Sequence, residues 1–168
     1  MFEVYVLVAK KKSVATILLA SLFLALGIVF LLLVCTGNLM MLTLSVVAFG
    51  LFYFFQFRTN KEFEYSYFDG ECRFAKVMNK SRRKRLQVFT MDDVIQIAPA
   101  GDRSVYKYEK DSSIKTYNYT SGLKGTPYYV LVRKKGEAIE MIKFEPDDKY
   151  LDAVCTKYSA KVVRRQEA

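Results

Sequence analysis

Residues 13–57 contain no Asp, Glu, Lys, Arg or His, which makes 45 consecutive uncharged positions in a chain of 168. An α-helix rises about 1.5 Å per residue and the hydrocarbon core of a bilayer is about 30 Å thick, so one crossing takes about 20 apolar residues. The run has room for two crossings and a very tight connection. Cys35, Thr36, Gly37 and Asn38 form the one cluster of small and polar turn-forming residues inside it. The sequence therefore predicts a transmembrane helical hairpin, with spans at about 14–34 and 39–57. Transport, pumping and intramembrane proteolysis normally need an ionisable group at membrane depth. None is present in the run, so it is expected to anchor the protein.

Charge sets the expected orientation. Of 26 Lys and Arg and 17 Asp and Glu, three and one precede residue 58, which leaves the remainder with a net charge of +7. Lys10, Lys11 and Lys12 abut the first span, Arg58 and Lys61 follow the second, and the connecting loop is uncharged. Lys and Arg accumulate on the cytoplasmic side of span ends, which predicts a multi-pass protein of the cell membrane with both termini cytoplasmic. The run is much longer than a signal-peptide core and no small-residue cleavage site follows it, so a signal peptide is not expected. Three cysteines, none at metal-ligand spacing, suit a reducing compartment and buried thiols.

Residues 1–12 are read as an N-terminal cytoplasmic segment, with residues 1–9 an interfacial amphipathic helix in preference to an extended arm. In the first span Ser21 and Ala25 form a small-xxx-small pair, a spacing that also occurs in spans without any role. The second span ends in Phe49, Phe52, Tyr53, Phe54, Phe55 and Phe57, suited to a membrane–water boundary. Beyond it the period drops to two. Residues 62–68 alternate Phe63, Tyr65 and Tyr67 with Glu62, Glu64 and Ser66, as a half-buried strand does. Asp69-Gly70 is a hairpin turn, and further strands are expected over 72–78, 83–91, 94–97, 115–120, 128–133 and 138–144. Residues 102–113 read as a long loop. Pro146 suits a first helical position, with Asp147 and Asp148 in the first turn. Leu151, Val154, Cys155 and Tyr158 then give one apolar face. Residues 160–168 read as a flexible tail after a domain spanning 62–159.

Seven antiparallel strands and one C-terminal helix give a membrane hairpin followed by an α+β, mainly-β domain. The layout resembles a PH-like bent sandwich or barrel capped by that helix. The stretches FEYSYFDGE (63–71), NKSRRKRL (79–86), DDVIQIAPA (92–100) and FEPDDKYLDAV (144–154) are similar to small bacterial two-span membrane proteins with a cytoplasmic bacterial-PH-like domain of unknown function. The resemblance implies architecture and no established activity. In phosphoinositide-binding PH domains the loop joining the first two strands is basic; here it is the acidic Asp69-Gly70 turn, so that headgroup site is not carried over.

Lys80, Arg82, Arg83, Lys84 and Arg85 put five cations in six positions at the second turn. They are candidates for anionic lipid headgroups or an acidic partner, against the plainer reading of a solvated hairpin tip that resists edge pairing. Tyr117, Tyr119, Leu151, Val154 and Tyr158 are candidates for a peptide groove between the fifth strand and the helix. Tyr106, Tyr108, Tyr117 and Tyr119 interleave with lysines, but tyrosines alternating in a β-rich domain are usually core, and no nucleic acid is expected. With no histidine, no phosphate-cradling loop and no dinucleotide fingerprint, neither an enzyme nor a cofactor is expected. The sequence supports a non-enzymatic interaction module that binds a protein partner or the anionic inner leaflet. The alternative is a structural, oligomeric or accessory membrane subunit without a ligand of its own.

Overall fold

A computed structural model describes residues 3–57 and 60–165. Arg58 beside the second span, the first two residues of the N-terminal segment, and residues 166–168 of the tail lie outside the described residues. The chain divides into two compact units.

The helical unit comprises residues 11–61 with Met78–Arg82. Helices α1 (Val14–Val34) and α2 (Met40–Phe57) are both long and apolar enough to cross a membrane. Their break falls at the small-residue cluster: Gly37 has φ +87°, which a glycine adopts without a Cβ clash, and Asn38 Oδ1 accepts from the Met40 amide at 3.1 Å. The buried residues of the two helices are Ala20, Gly27, Ser45 and Ala48. Ser45 Oγ donates to the Gly27 carbonyl at 3.0 Å, and a Cβ on Gly27 would stand 3.0 Å from the Phe49 ring. Small residues let the two backbones approach, as expected, but at these positions; Ser21 and Ala25 are exposed.

The sandwich unit has eight strands in two four-stranded sheets. The first sheet runs in the order β1 (Val4–Ala9), β2 (Lys61–Phe68), β3 (Glu71–Met78), β4 (Arg82–Thr90). The second runs in the order β5 (Val94–Pro99), β7 (Tyr129–Lys135), β8 (Ala138–Phe144), β6 (Lys115–Asn118). Helix α3 (Arg103–Lys110) joins β5 to β6, and α4 (Asp148–Tyr158) follows β8.

Several expectations are corrected. The N-terminal segment is a strand, not an interfacial helix: β1 pairs antiparallel with β2 from Val4↔Tyr67 to Ala9↔Glu62. Val4, Val6 and Val8 pack on the core while Tyr5 and Leu7 are exposed. Branched residues at alternate positions favour a pleated surface over a helix. The strand count rises from seven to eight, and the pairing is not wholly antiparallel, because β6 pairs parallel with β8 from Lys115↔Glu140 to Asn118↔Lys143. Parallel entry into a sheet needs a crossover, usually helical. The expected loop over 102–113 supplies it as α3: Asp102 caps the helix by accepting from the Ser104 amide at 2.9 Å, and Val105 is fully buried.

Tyr65, Phe74, Phe144 and Tyr150 fill the space between the sheets with a cluster of edge-to-face and tilted rings. A second cluster, Ala98, Val105, Val130, Val132 and Met141, lies on the α3 side of the second sheet. That is why β7 reads as a nearly continuous apolar run: both of its faces are covered. Helix α4 starts two residues later than expected, at Asp148, with Asp147 as its cap accepting from the Tyr150 amide at 2.8 Å. The chain end does not fray through residue 165. Val162 bridges Ile97, the Val163 amide donates to the Ile97 carbonyl at 2.8 Å, and Lys161 Nζ donates to the Met91 carbonyl at 2.7 Å.

Candidate functional site

The basic run lies on the turn between β3 and β4 and on the first residues of β4. Asn79 and Lys80 have φ +53° and +57°, and the Ser81 amide donates to the Met78 carbonyl at 3.3 Å, the geometry of a two-residue type I′ hairpin turn. Lys80, Arg82, Arg83, Lys84 and Arg85 are all exposed. Arg83 meets Glu64 at 2.9 Å. Among the described residues, Lys80, Arg82, Lys84 and Arg85 have no ion pair. β4 is the last strand of its sheet, so its outer backbone edge is open.

Within the helical unit, the turn Met78–Arg82 packs at the aromatic end of α2. Its position is fixed by the Asn79 amide, which donates to the Asn60 carbonyl at 3.1 Å. Tyr53, Phe54 and Phe57 form one wall and Met78, Asn79, Ser81 and Arg82 the other wall of a cleft of about 560 Å³. The three rings are 60%, 50% and 52% exposed. The Asn79 side-chain oxygen is buried and has no hydrogen-bond partner among the described residues, a loss of about 1–3 kcal/mol. Lys12 Nζ donates to the Gln56 carbonyl, placing a cation on the last turn of α2, where the helix dipole is negative. In the sequence the aromatic cluster and the basic turn are separate features. Their meeting carries no local signal, because it joins residues more than twenty positions apart.

Among the described residues the five groove candidates share no common groove, and of them only Leu151 lines a cleft, one of about 540 Å³ beside α4 with Pro127, Tyr129, Pro146, Asp148, Arg164 and Arg165. Leu151 and Val154 are buried, and Tyr119 is buried among Phe63, Phe74 and Tyr117. The apolar stripe of α4 is taken up by the core it caps. Tyr117 and Tyr158 are half-buried, the first donating to Glu140 at 3.3 Å and the second packed over Gly70. The tyrosines interleaved with lysines are likewise dispersed: Tyr106 and Tyr108 lie on α3, Tyr117 on β6, and Tyr119 in the core.

The Asp69-Gly70 turn is as short as expected, and Lys157 of α4 stands 3.6 Å from Asp69. Cys72 is buried beside Met91 and Tyr150, and burial pushes its thiol up to about 11, so it is an inert core thiol. Among the described residues no group of three or more Cys, Asp or Glu stands together as a metal site.

No curated protein and no solved structure matches the chain. The family model described as "Bacterial PH-like domain (DUF6106)" matches residues 2–164, helical hairpin and sandwich together, and the chain therefore belongs to this bacterial PH-like family.

Proposed function

We propose that the protein is a membrane-anchored, non-enzymatic binding module. The hairpin crosses the cell membrane twice with both termini in the cytoplasm. The PH-like sandwich presents Lys80, Arg82, Arg83, Lys84 and Arg85 to the anionic inner leaflet. The observation that carries this reading is the make-up of the helical unit. The two helices bury only Ala20, Gly27, Ser45 and Ala48 and leave many large apolar side chains exposed, a surface unsuited to water, and the turn bearing Lys80 and Arg82 lines a cleft with their aromatic end. Each cation near an anionic surface contributes about 1 kcal/mol, and the attraction fades beyond a Debye length of about 10 Å.

The test places the full-length chain in nanodiscs of purely zwitterionic lipid or of lipid containing phosphatidylglycerol, and times trypsin cleavage at the basic run. Cleavage is expected to slow several-fold on the anionic surface and to recover in high salt. Equal rates in both discs would overturn the reading. The open edge of β4 favours a second reading, in which an acidic protein segment adds as a strand beside the same cations. A stoichiometric acidic protein that leaves the membrane-extracted chain in high salt would support it.

A further inference from the structure

The cleft at the end of the hairpin has two chemically different walls. Tyr53, Phe54 and Phe57 offer exposed aromatic surface, and the Tyr53 and Phe57 rings lie 5.1 Å apart, one helical turn from each other. The rest of the lining comes from the turn, from Met78, Asn79, Ser81 and Arg82, with Lys80 between them in sequence. Arg82 is exposed and unpaired among the described residues, and a planar guanidinium suits two oxygens of one phosphate. Aromatic rings at the end of an apolar span suit the region where headgroups meet acyl chains.

We infer that this cleft seats one anionic glycerophospholipid, with its phosphate on Arg82 and Ser81 and its upper acyl chain against Phe54 and Phe57. Free inorganic phosphate would leave the aromatic wall in water, and an acidic peptide would gain nothing from the cleft's place at the end of two apolar helices. The inference rests on the membrane-anchored reading above and adds to it a single bound lipid, as distinct from a diffuse attraction to the leaflet.

The full-length chain, extracted in mild detergent from membranes containing phosphatidylglycerol and phosphatidylethanolamine, is examined by native mass spectrometry. One retained phosphatidylglycerol per chain is expected. Arg82→Gln should lower the retained fraction at least fivefold, and Phe57→Ala, whose side chain is exposed, should lower it comparably should the first variant fail to assemble. The double variant Lys84→Gln/Arg85→Gln removes more charge but does not touch the cleft, and it should retain the lipid. The inference is overturned by loss that follows total charge in all variants, by displacement of the lipid with millimolar inorganic phosphate, or by an acidic protein retained in place of lipid. A chain protected from trypsin on anionic discs that retains no lipid would overturn the cleft alone. Absence of both effects would overturn the membrane-surface reading as well.

Discussion

Arg133 on β7 and Glu140 on β8 stand opposite each other in register and form an ion pair, the residues being 5% and 6% exposed. The guanidinium also lies 4.4 Å over the Phe89 ring, so this pair ties the second sheet to a side chain of β4. Taking two charges out of water is expensive, and removing one partner leaves the other buried and uncompensated.

Glu140→Gln is therefore expected to destabilise the sandwich by about 3 kcal/mol, read as a fall in the denaturant midpoint of the detergent-solubilised chain. Replacing both partners with apolar residues, Arg133→Met with Glu140→Leu, should recover most of that loss. A double variant as unstable as the single one would show that the charges themselves stabilise the fold.

The same pair sets an acid dependence. Burial pushes the Glu140 carboxyl up, but the Arg133 hydrogen bond and charge, with Lys135 beside them, hold it below its ordinary value. A carboxyl depressed in the folded state stabilises at any pH above its unfolded value of about 4.3, and that stabilisation is lost as pH falls through the folded value. The stability gap between wild type and Glu140→Gln should stay constant from about pH 7 to pH 5 and shrink below about pH 4. Denaturation midpoints across that range measure it, and a gap that closes already near neutrality would contradict the assignment.

Three cysteines report both topology and burial. Cys35 is exposed at the hairpin connection, Cys155 is half-buried on α4, and Cys72 is in the core with its thiol pushed up to about 11 by desolvation. A membrane-impermeant maleimide added outside intact cells should label Cys35. Cys155 should react only after permeabilisation, and Cys72 only after denaturation. Mass spectrometry of the labelled peptides decides this, and labelling of Cys155 in intact cells would reverse the proposed orientation.

Gly70 has φ +89°, and a Cβ there would stand 2.9 Å from the Tyr158 hydroxyl. Gly70→Ala should cost about 1–3 kcal/mol through backbone strain and displacement of that ring. Thermal unfolding followed by near-ultraviolet circular dichroism would detect it. No change in midpoint would mean that α4 can shift at its C-terminal end without penalty.

Elements specified by strong local pattern were legible in the sequence. An uncharged run of 45 residues leaves few alternatives to a helical hairpin, and its break needs turn-forming residues, which occur at Cys35 to Asn38. Asp69-Gly70 between two alternating segments marks a tight turn, and Leu151, Val154 and Tyr158 mark one face of a helix. Elements that depend on a distant partner were not. β1 is apolar on both faces, so its alternation has no polar contrast, and its state is decided by the edge of β2 about sixty residues later. α3 is only eight residues long, too short for periodicity to declare itself; the signals were the Asp102 cap and Val105 with Tyr108 three positions on.

What the sequence determined by itself was the hairpin, the two-residue turns and the C-terminal helix, because each is set by interactions within a few residues or by the requirement of an apolar solvent. Tertiary structure alone decided that β6 enters its sheet parallel, that Leu151 and Val154 of the α4 stripe are buried in the core, and that the turn bearing Arg82 lines one cleft with Tyr53, Phe54 and Phe57. Strand direction, burial and the meeting of two distant segments depend on which surfaces remain open after the local elements have formed. No local pattern encodes that.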